Sequence, residues 1–534
     1  MKKNKITLLT AALVVFYLLI LIGWHLYDPT TGFTEAVPGA DNRPEGHARK
    51  ADDVLIGEFF MKEESIPSPN DLKGEWPCFR GAHHDNKVIY ANGSSLIKDD
   101  FKDLWTVSTG EGHASPVISE GKVYVLDYDE QLSSDVLRCF DLPTGKPLWR
   151  RWYRVPMKRN HGFSRAIPAI WHDLVVTIGP EGHVMCCNKH TGDLQWTIDM
   201  KKRFGTEIPF WYTGQCPLID NDALVLAPAG KDTLMIGVDV QSGKTLWGTP
   251  NSIGYKMSHS SVMPMTFAGT STYVYVGVGG VCGVSAQSGQ QGKLLWNATK
   301  WQPSVVAPSP LQISPNQVFL VAGYGAGGAL LQVTQTGSTW KAEILDAYKA
   351  AEGMSSEQQT PIIYGGRLIT ILPKDGGGMR ERLAMYMPNN IHTPIWTSSA
   401  DERFGLGPYM MIGDMLFAFK EDGELFVYRV GATSMTLLKR QRVMEEGIDA
   451  WGPMAYADGY LIVRDSKTIK CLKVFEEDQP QKLSASVYGV MGDPRSSAKD
   501  EIRAHGRPRT VETTKKHAHG RPRILKSVKK YGHG

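Results

Sequence analysis

Seven short segments of this 534-residue chain gather the side chains best suited to binding or catalysis. They begin with "GEGHAS" (Glu111, His113), "NHGFSRAI" (His161, Arg165) and "FGTEIPFWYTGQC" (Glu207, Trp211, Tyr212, Gln215). Further along come "GYKMSHSS" (Tyr255, Lys256, His259), "SSEQQ" ending at Gln359, "DERFG" (Arg403) and "GIDAW" (Asp449, Trp451). A carboxylate can act as a base or an oxygen ligand, an imidazole can move a proton, and an indole offers a flat face to a ring. Gathered around one concavity they would form a ligand site; apart, each would solvate a loop or bridge its neighbours. The expected ligand-binding set is Glu111, His113, Arg165, Glu207, Trp211, Lys256, His259, Gln359, Asp449 and Trp451. No residue is singled out as catalytic. No metal site is expected either, because the seven cysteines are scattered and none falls in a zinc or haem spacing.

Each segment stops just short of a proline, and the prolines show how such distant residues could meet. Pro116, Pro168, Pro217, Pro264, Pro310, Pro361, Pro408 and Pro453 recur at intervals of 52, 49, 47, 46, 51, 47 and 45 residues. After each comes a short apolar run, a turn and a second apolar run, as in "SPVISEGKVYVLD" and "TPIIYGGRLITIL". Even spacing in this range marks a repeat architecture, and paired runs split by Gly, Asn or Asp read as hairpins. Proline suits the first residue of an edge strand, where its missing N–H breaks no ladder bond. Eight such units predict an all-β, eight-bladed propeller, whose segments before the prolines converge on the mouth of a central channel.

A second period sits inside the first. "DLPTGKPLW" ends at Trp149, "NKHTGDLQW" at Trp196, "DVQSGKTLW" at Trp247 and "SAQSGQQGKLLW" at Trp296; "MPNNIHTPIW" at Trp396 is a weaker copy. The glycine supplies a positive-φ turn, and the tryptophan opens the outermost strand, where its ring can fill the gap to the next sheet. These tryptophans are therefore read as structural docking residues. The last unit, Ala450 to Phe475, lacks a tryptophan strand, and "FKDLWTVSTG" from Phe101 is the spare strand that would close it.

The docking repeat resembles that of the PQQ-like (pyrroloquinoline-quinone-like) β-propeller repeat proteins, which include quinoprotein alcohol dehydrogenases and the propeller of the outer-membrane barrel-assembly machinery. "WPCFRG" (Trp76–Gly81) is similar to a segment ahead of many members. The resemblance covers about residues 74–476 and implies the fold; its enzymes and non-catalytic scaffolds share that fold. A dehydrogenase of this kind would hold PQQ and Ca²⁺, with Glu111, Glu207 or Asp449 as carboxylates and Trp211 or Trp451 as the floor. The flanking sequences do not reproduce the dehydrogenase pattern, so the chain is expected to bind no cofactor and not to be an enzyme. The adjacent Cys186 and Cys187 evoke the vicinal disulfide of some members, yet they sit in a strand-like run.

Composition divides the chain. Lys2, Lys3 and Lys5 precede an uncharged stretch from Ile6 to Ile22 with Trp24 and Tyr27 beyond it and no small-residue cleavage site. At ~1.5 Å per residue this nearly spans a ~30 Å hydrocarbon core, so residues 1–26 are expected to be an uncleaved transmembrane anchor. The lysines would keep the N-terminus cytoplasmic and put the propeller on the periplasmic, extracytoplasmic side. Residues 27–73 read as a linker in which "DVLIGEFF" could dock, and 74–478 as the propeller. Residues 479–534 hold 13 Lys or Arg against 4 Asp or Glu, and read as a disordered basic tail. Its two "HGRPR" copies resemble an AT-hook, but outside the cell no nucleic acid is expected; loose contact with anionic polymers or lipids is. The functional expectation is a membrane-anchored binding or scaffold propeller of the cell envelope, its mouth engaging an envelope protein or a polysaccharide. The alternatives are a PQQ/Ca²⁺-dependent alcohol or sugar dehydrogenase and a carbohydrate-binding module.

Overall fold

The apolar runs after each proline become paired strands. The computed structural model describes residues 2–27, 54–68, 71–89 and 97–475, in two units that divide between Leu55 and Ile56. The second unit contains eight sheets, each built on four antiparallel strands; seven follow chain order, and the eighth takes its outer strand from before blade one. Blade one comprises Val117–Ser119, Lys122–Asp129, Ser134–Asp141 and Pro147–Arg154, and blades two to seven repeat the plan from Ala169–Trp171 to Met435–Arg442. The second strands are mainly apolar because both faces are covered: Leu174–Ile178 and Met415–Phe419 are buried at every position. Each proline directly precedes a first strand, except Pro264, the second residue of Met263–Phe267, and Pro453, two residues before Ala455–Ala457. The eighth blade is closed as the sequence required. Ile97–Ser108 pairs antiparallel with Thr468–Phe475, placing Trp105 opposite Cys471 and covering the last edge.

The blades are joined by the docking residues. The indole N–H of Trp105 donates to the Leu142 carbonyl of blade one at 2.7 Å, Trp149 to Lys189 of blade two at 3.3 Å, and Trp196 to Val240 of blade three at 2.8 Å. Beneath each ring lies the turn glycine of the next blade. At Gly145 (φ 68°) a Cβ would sit 2.5 Å from the Trp105 ring, and at Gly243 (φ 70°) 2.7 Å from Trp196. The glycine thus serves both the turn and the close approach. Trp247 stacks on Tyr273 of blade four at 5.9 Å, and Trp396 meets Tyr428 of blade seven edge-on at 5.9 Å. Trp296 is buried, but its N–H finds no acceptor, because blade five carries the shortened "TQTGSTW" turn.

Part of the expected linker is propeller. Phe59–Lys62 adds a fifth strand outside Pro147–Arg154, with Phe59 stacked on Trp152 at 5.6 Å, and Ser68 caps Asp141. The outer strand "PLWRRWYR" exposes a Trp and an Arg that need cover, and the Phe-Phe pair supplies it. In the first unit a helix spans Lys2–Leu26, and its apolar side chains from Leu13 to Ile22 are exposed. Among the described residues no helix is long and apolar enough to cross a membrane. The expected transmembrane anchor is therefore a helix here, without a described stretch that would span a bilayer. The rest of the linker, residues 28–53, and the basic tail, 479–534, lie outside the described residues.

Candidate functional site

The floor of the channel is built by the segment "WPCFRG" and the residues after it. Trp76 exchanges backbone hydrogen bonds with Ile118 of blade one (2.9 and 3.0 Å), and the Pro77 carbonyl accepts from Ile170 of blade two (2.8 Å). Arg80 is buried and donates to the carbonyls of Thr360 and Pro361 in blade six at 2.8 and 2.9 Å. Asn86 donates to the Tyr409 carbonyl, and Lys87–Val88 pairs parallel with Met411 and Ile412 in blade seven. One strap therefore ties together the first strands of four blades and closes the channel at that end. Carbonyl acceptors replace water around the Arg80 guanidinium, so it is held as a buried cation.

Against this strap lies a cavity of about 380 Å³. Six of the ten expected residues line it: His113, Arg165, Trp211, His259, Gln359 and Trp451. Four do not. Glu111 is buried and captured by Arg159 at 2.6 Å, while Glu207 and Lys256 pair with each other at 2.7 Å beside a smaller depression of about 180 Å³. Asp449 is turned aside by a left-handed backbone (φ 51°) and is absent from the cavity wall. Local partners take up the charges of Glu111, Glu207 and Lys256. His161, Glu357 and Gln358, from the same loops, do reach the cavity.

Sequence reasoning missed Tyr324, Lys374 and the strap residues Phe79, Arg80 and Asn86. Tyr324 and Lys374 lie between the second and third strands of blades five and six. A second strand runs antiparallel to the first, so it returns the chain to the end where the first began. The loops after second strands therefore share the mouth with the loops before the prolines, and that signal was present in the repeat. His161, Tyr212, Tyr324 and Asp449 all hold positive φ, between 49° and 68°. Such residues cost about 1–3 kcal/mol each, and most of the others in the chain lie in turns away from the cavity.

The walls combine aromatic faces with positive charge. Trp211 and Tyr324 stack at 5.4 Å, and Trp451 has the His113 ring at 4.9 Å and the Lys374 ammonium at 5.6 Å. Arg165 is held by the carbonyls of Phe163, Asn160 and His161 at 2.8–3.0 Å. Among the described residues neither Arg165 nor Lys374 is in ion-pair contact with a carboxylate, and Glu357 is the one carboxylate on the cavity wall. Burial, with Arg165 adding repulsion, pushes His113 down to about 3 and His259 to about 4, so both imidazoles are neutral near pH 7. Burial lowers Arg165 and Arg80 only to about 10, leaving both charged. Burial also raises the Glu357 carboxyl.

For Ca²⁺ beside PQQ the wall offers one carboxylate and the amide oxygens of Asn86, Gln358 and Gln359. Calcium takes six to eight oxygen ligands, typically with several carboxylates. The cavity offers one, among three cations, and Trp451 already faces a histidine and a lysine. Among the described residues no group of three or more His, Cys, Asp or Glu could hold a metal ion. Cys186 and Cys187 are unpaired, buried in the strand His183–Asn188, and do not line the cavity.

Eight four-stranded blades around a strapped channel define the chain as a β-propeller, and the comparisons agree on its repeat type. The PQQ-like family model described as outer membrane protein assembly factor BamB matches residues 133–358. The resemblance to PQQ-like propeller repeat proteins is thereby borne out. A europium-containing methanol dehydrogenase is similar at 10% identity and TM-score 0.50, covering 73% of this chain and 89% of its own. BamB from Moraxella catarrhalis matches at 10% identity and TM-score 0.46, covering 70% of this chain and 100% of its own. Quinohemoprotein alcohol dehydrogenase ADHIIG from Pseudomonas putida HK5 matches at 11% identity and TM-score 0.47, covering 77% and 82%. At such identities the likeness is one of fold. No curated protein sequence matches the chain.

Proposed function

We propose that this chain is a non-catalytic binding propeller of the cell envelope, whose mouth cavity receives its ligand or partner. The observation that carries the reading is the strapped cavity: an aromatic and cationic wall over a floor tied to four blades, with no carboxylate arrangement suited to quinone chemistry. The family model matched over residues 133–358 is that of an assembly factor, which supports a binding role over an enzymatic one. The helix Lys2–Leu26, with its apolar side chains exposed from Leu13 to Ile22 and lysines in its first turn, is proposed to anchor the chain to the membrane and leave the propeller on the extracytoplasmic side.

The test places a photo-cross-linking residue at Phe210, which is 78% exposed beside Trp211, and a control at Leu345 on an outer strand. Adducts should form in cells from Phe210 only, disappear in Trp211→Ala, and stay with the membrane fraction unless residues 1–26 are deleted. Equal labelling from both positions would remove the mouth from the proposal. In parallel, full-length protein supplied with PQQ and Ca²⁺ should not reduce a dye on addition of alcohols or sugars. Dye reduction abolished by Glu357→Gln would make the dehydrogenase reading correct.

A further inference from the structure

Charge and shape in the mouth together restrict what fits there. Lys374 and Arg165 face the cavity without ion-pair partners among the described residues, Arg80 lies in its floor, and Glu357 alone opposes them. The wall thus carries three cations against one acid, an excess of two positive charges, with Arg80 buried, Arg165 half-buried and Lys374 exposed. A charge imbalance in such a site is strengthened by the low dielectric around it and favours an anionic guest. The rest of the wall includes aromatic rings, from Trp211 and Tyr324, side-chain amides, from Gln358 and Gln359, and aliphatic side chains such as Ile167, Val305 and Leu406. Gln359 donates one amide N–H to the Trp451 carbonyl, and its amide oxygen can accept from a hydroxyl. Rings beside amides suit a saccharide, whose C–H face stacks while its hydroxyls are both donors and acceptors.

A volume of about 380 Å³ lies in the small-molecule range rather than that of a folded partner. An extended acidic peptide fits less well. It would need a free strand edge, and the first strands are punctuated by prolines, with the edge in blade seven already taken by Lys87–Val88. We infer that the mouth cavity binds an acidic saccharide, one or two sugar rings bearing a carboxylate, with Lys374 as the carboxylate-binding residue and Arg165, its terminal N–H groups held by loop carbonyls, adding positive charge behind it. The inference rests on the proposal that the mouth is the binding site.

The experiment titrates full-length protein in detergent with trigalacturonate, galactotriose and a hexa-aspartate peptide, by calorimetry and tryptophan fluorescence at low and high salt. Trigalacturonate should bind at least tenfold more tightly than galactotriose, and the difference should shrink as salt screens it. Lys374→Gln should weaken trigalacturonate about tenfold with an unchanged melting temperature while leaving galactotriose alone. Arg165→Gln should also weaken it; because Arg165 also braces its own loop, only a variant with a native melting profile counts. Equal binding of the two trisaccharides would overturn the anion preference, and tighter binding of the peptide would overturn the saccharide. If no probe binds while mouth-specific cross-linking at Phe210 persists, this inference fails and the binding reading stands. If both vanish, both fail.

Discussion

Replacing Trp149 by alanine should destabilise the propeller by about 3–5 kcal/mol, the range for truncating a buried aromatic side chain. Only 3% of Trp149 is exposed. Its ring packs over Gly192 of the next blade, where a Cβ would come within 3.0 Å, and its N–H donates to the buried Lys189 backbone. Removing it opens a void between two blades that cannot collapse, because each sheet is fixed by its own ladder. It also leaves the Lys189 carbonyl without its donor. Trp196→Ala should cost less, since that ring is half-buried, although its bond to Val240 is shorter. Denaturant unfolding of both variants beside wild type would check the order. A Trp149→Ala protein with an unchanged midpoint would mean that docking contributes nothing to the ring.

A second large effect is predicted at Asp135, which lies buried between blades one and two. It accepts from Tyr153 Oη at 2.7 Å and from Ser164 Oγ at 3.4 Å, and packs against Gly179, where a Cβ would sit 2.5 Å from its Oδ2. Burial foremost, with the charge of nearby Asp127, raises its carboxyl from 3.8 to about 7 against the pull of its hydrogen bonds. Between pH 4 and pH 7 the folded chain keeps a proton that the unfolded chain has released. The stabilisation from that proton is complete below pH 4 and is lost as pH rises through 7. At about 1.4 kcal/mol per pH unit, the whole interval corresponds to roughly 4 kcal/mol. Asp135→Asn keeps the shape and the Tyr153 bond without the charge. Its unfolding free energy should fall less steeply than wild type between pH 4 and pH 7 and lie above it at pH 8. Because other groups titrate alike in both proteins, the difference isolates Asp135. Parallel curves would overturn the assignment.

The blade count, the closing strand and the docking residues were legible in the sequence because each rests on local chemistry that repeats. A proline at or near the start of a strand, a glycine in a turn and a tryptophan three or four residues later need only their neighbours, and eight prolines with several copies of the docking turn average out the irregular ones. The mouth was legible in outline for the same reason, since the loops before the prolines had to meet there. Which side chains turn inward was not. Glu111 faces Arg159 and Glu207 faces Lys256 because those partners are brought within 2.7 Å by other loops, and an ion pair so formed removes both from the channel. Arg80 could not be placed at all without the tertiary structure. It lies 280 residues from Thr360, whose carbonyl it binds. No periodicity announces a strap that crosses the ring once. Repetition writes the scaffold into the sequence; the single, non-repeating contacts that close the channel and set the sign of its charge exist only after the ring has brought distant blades together.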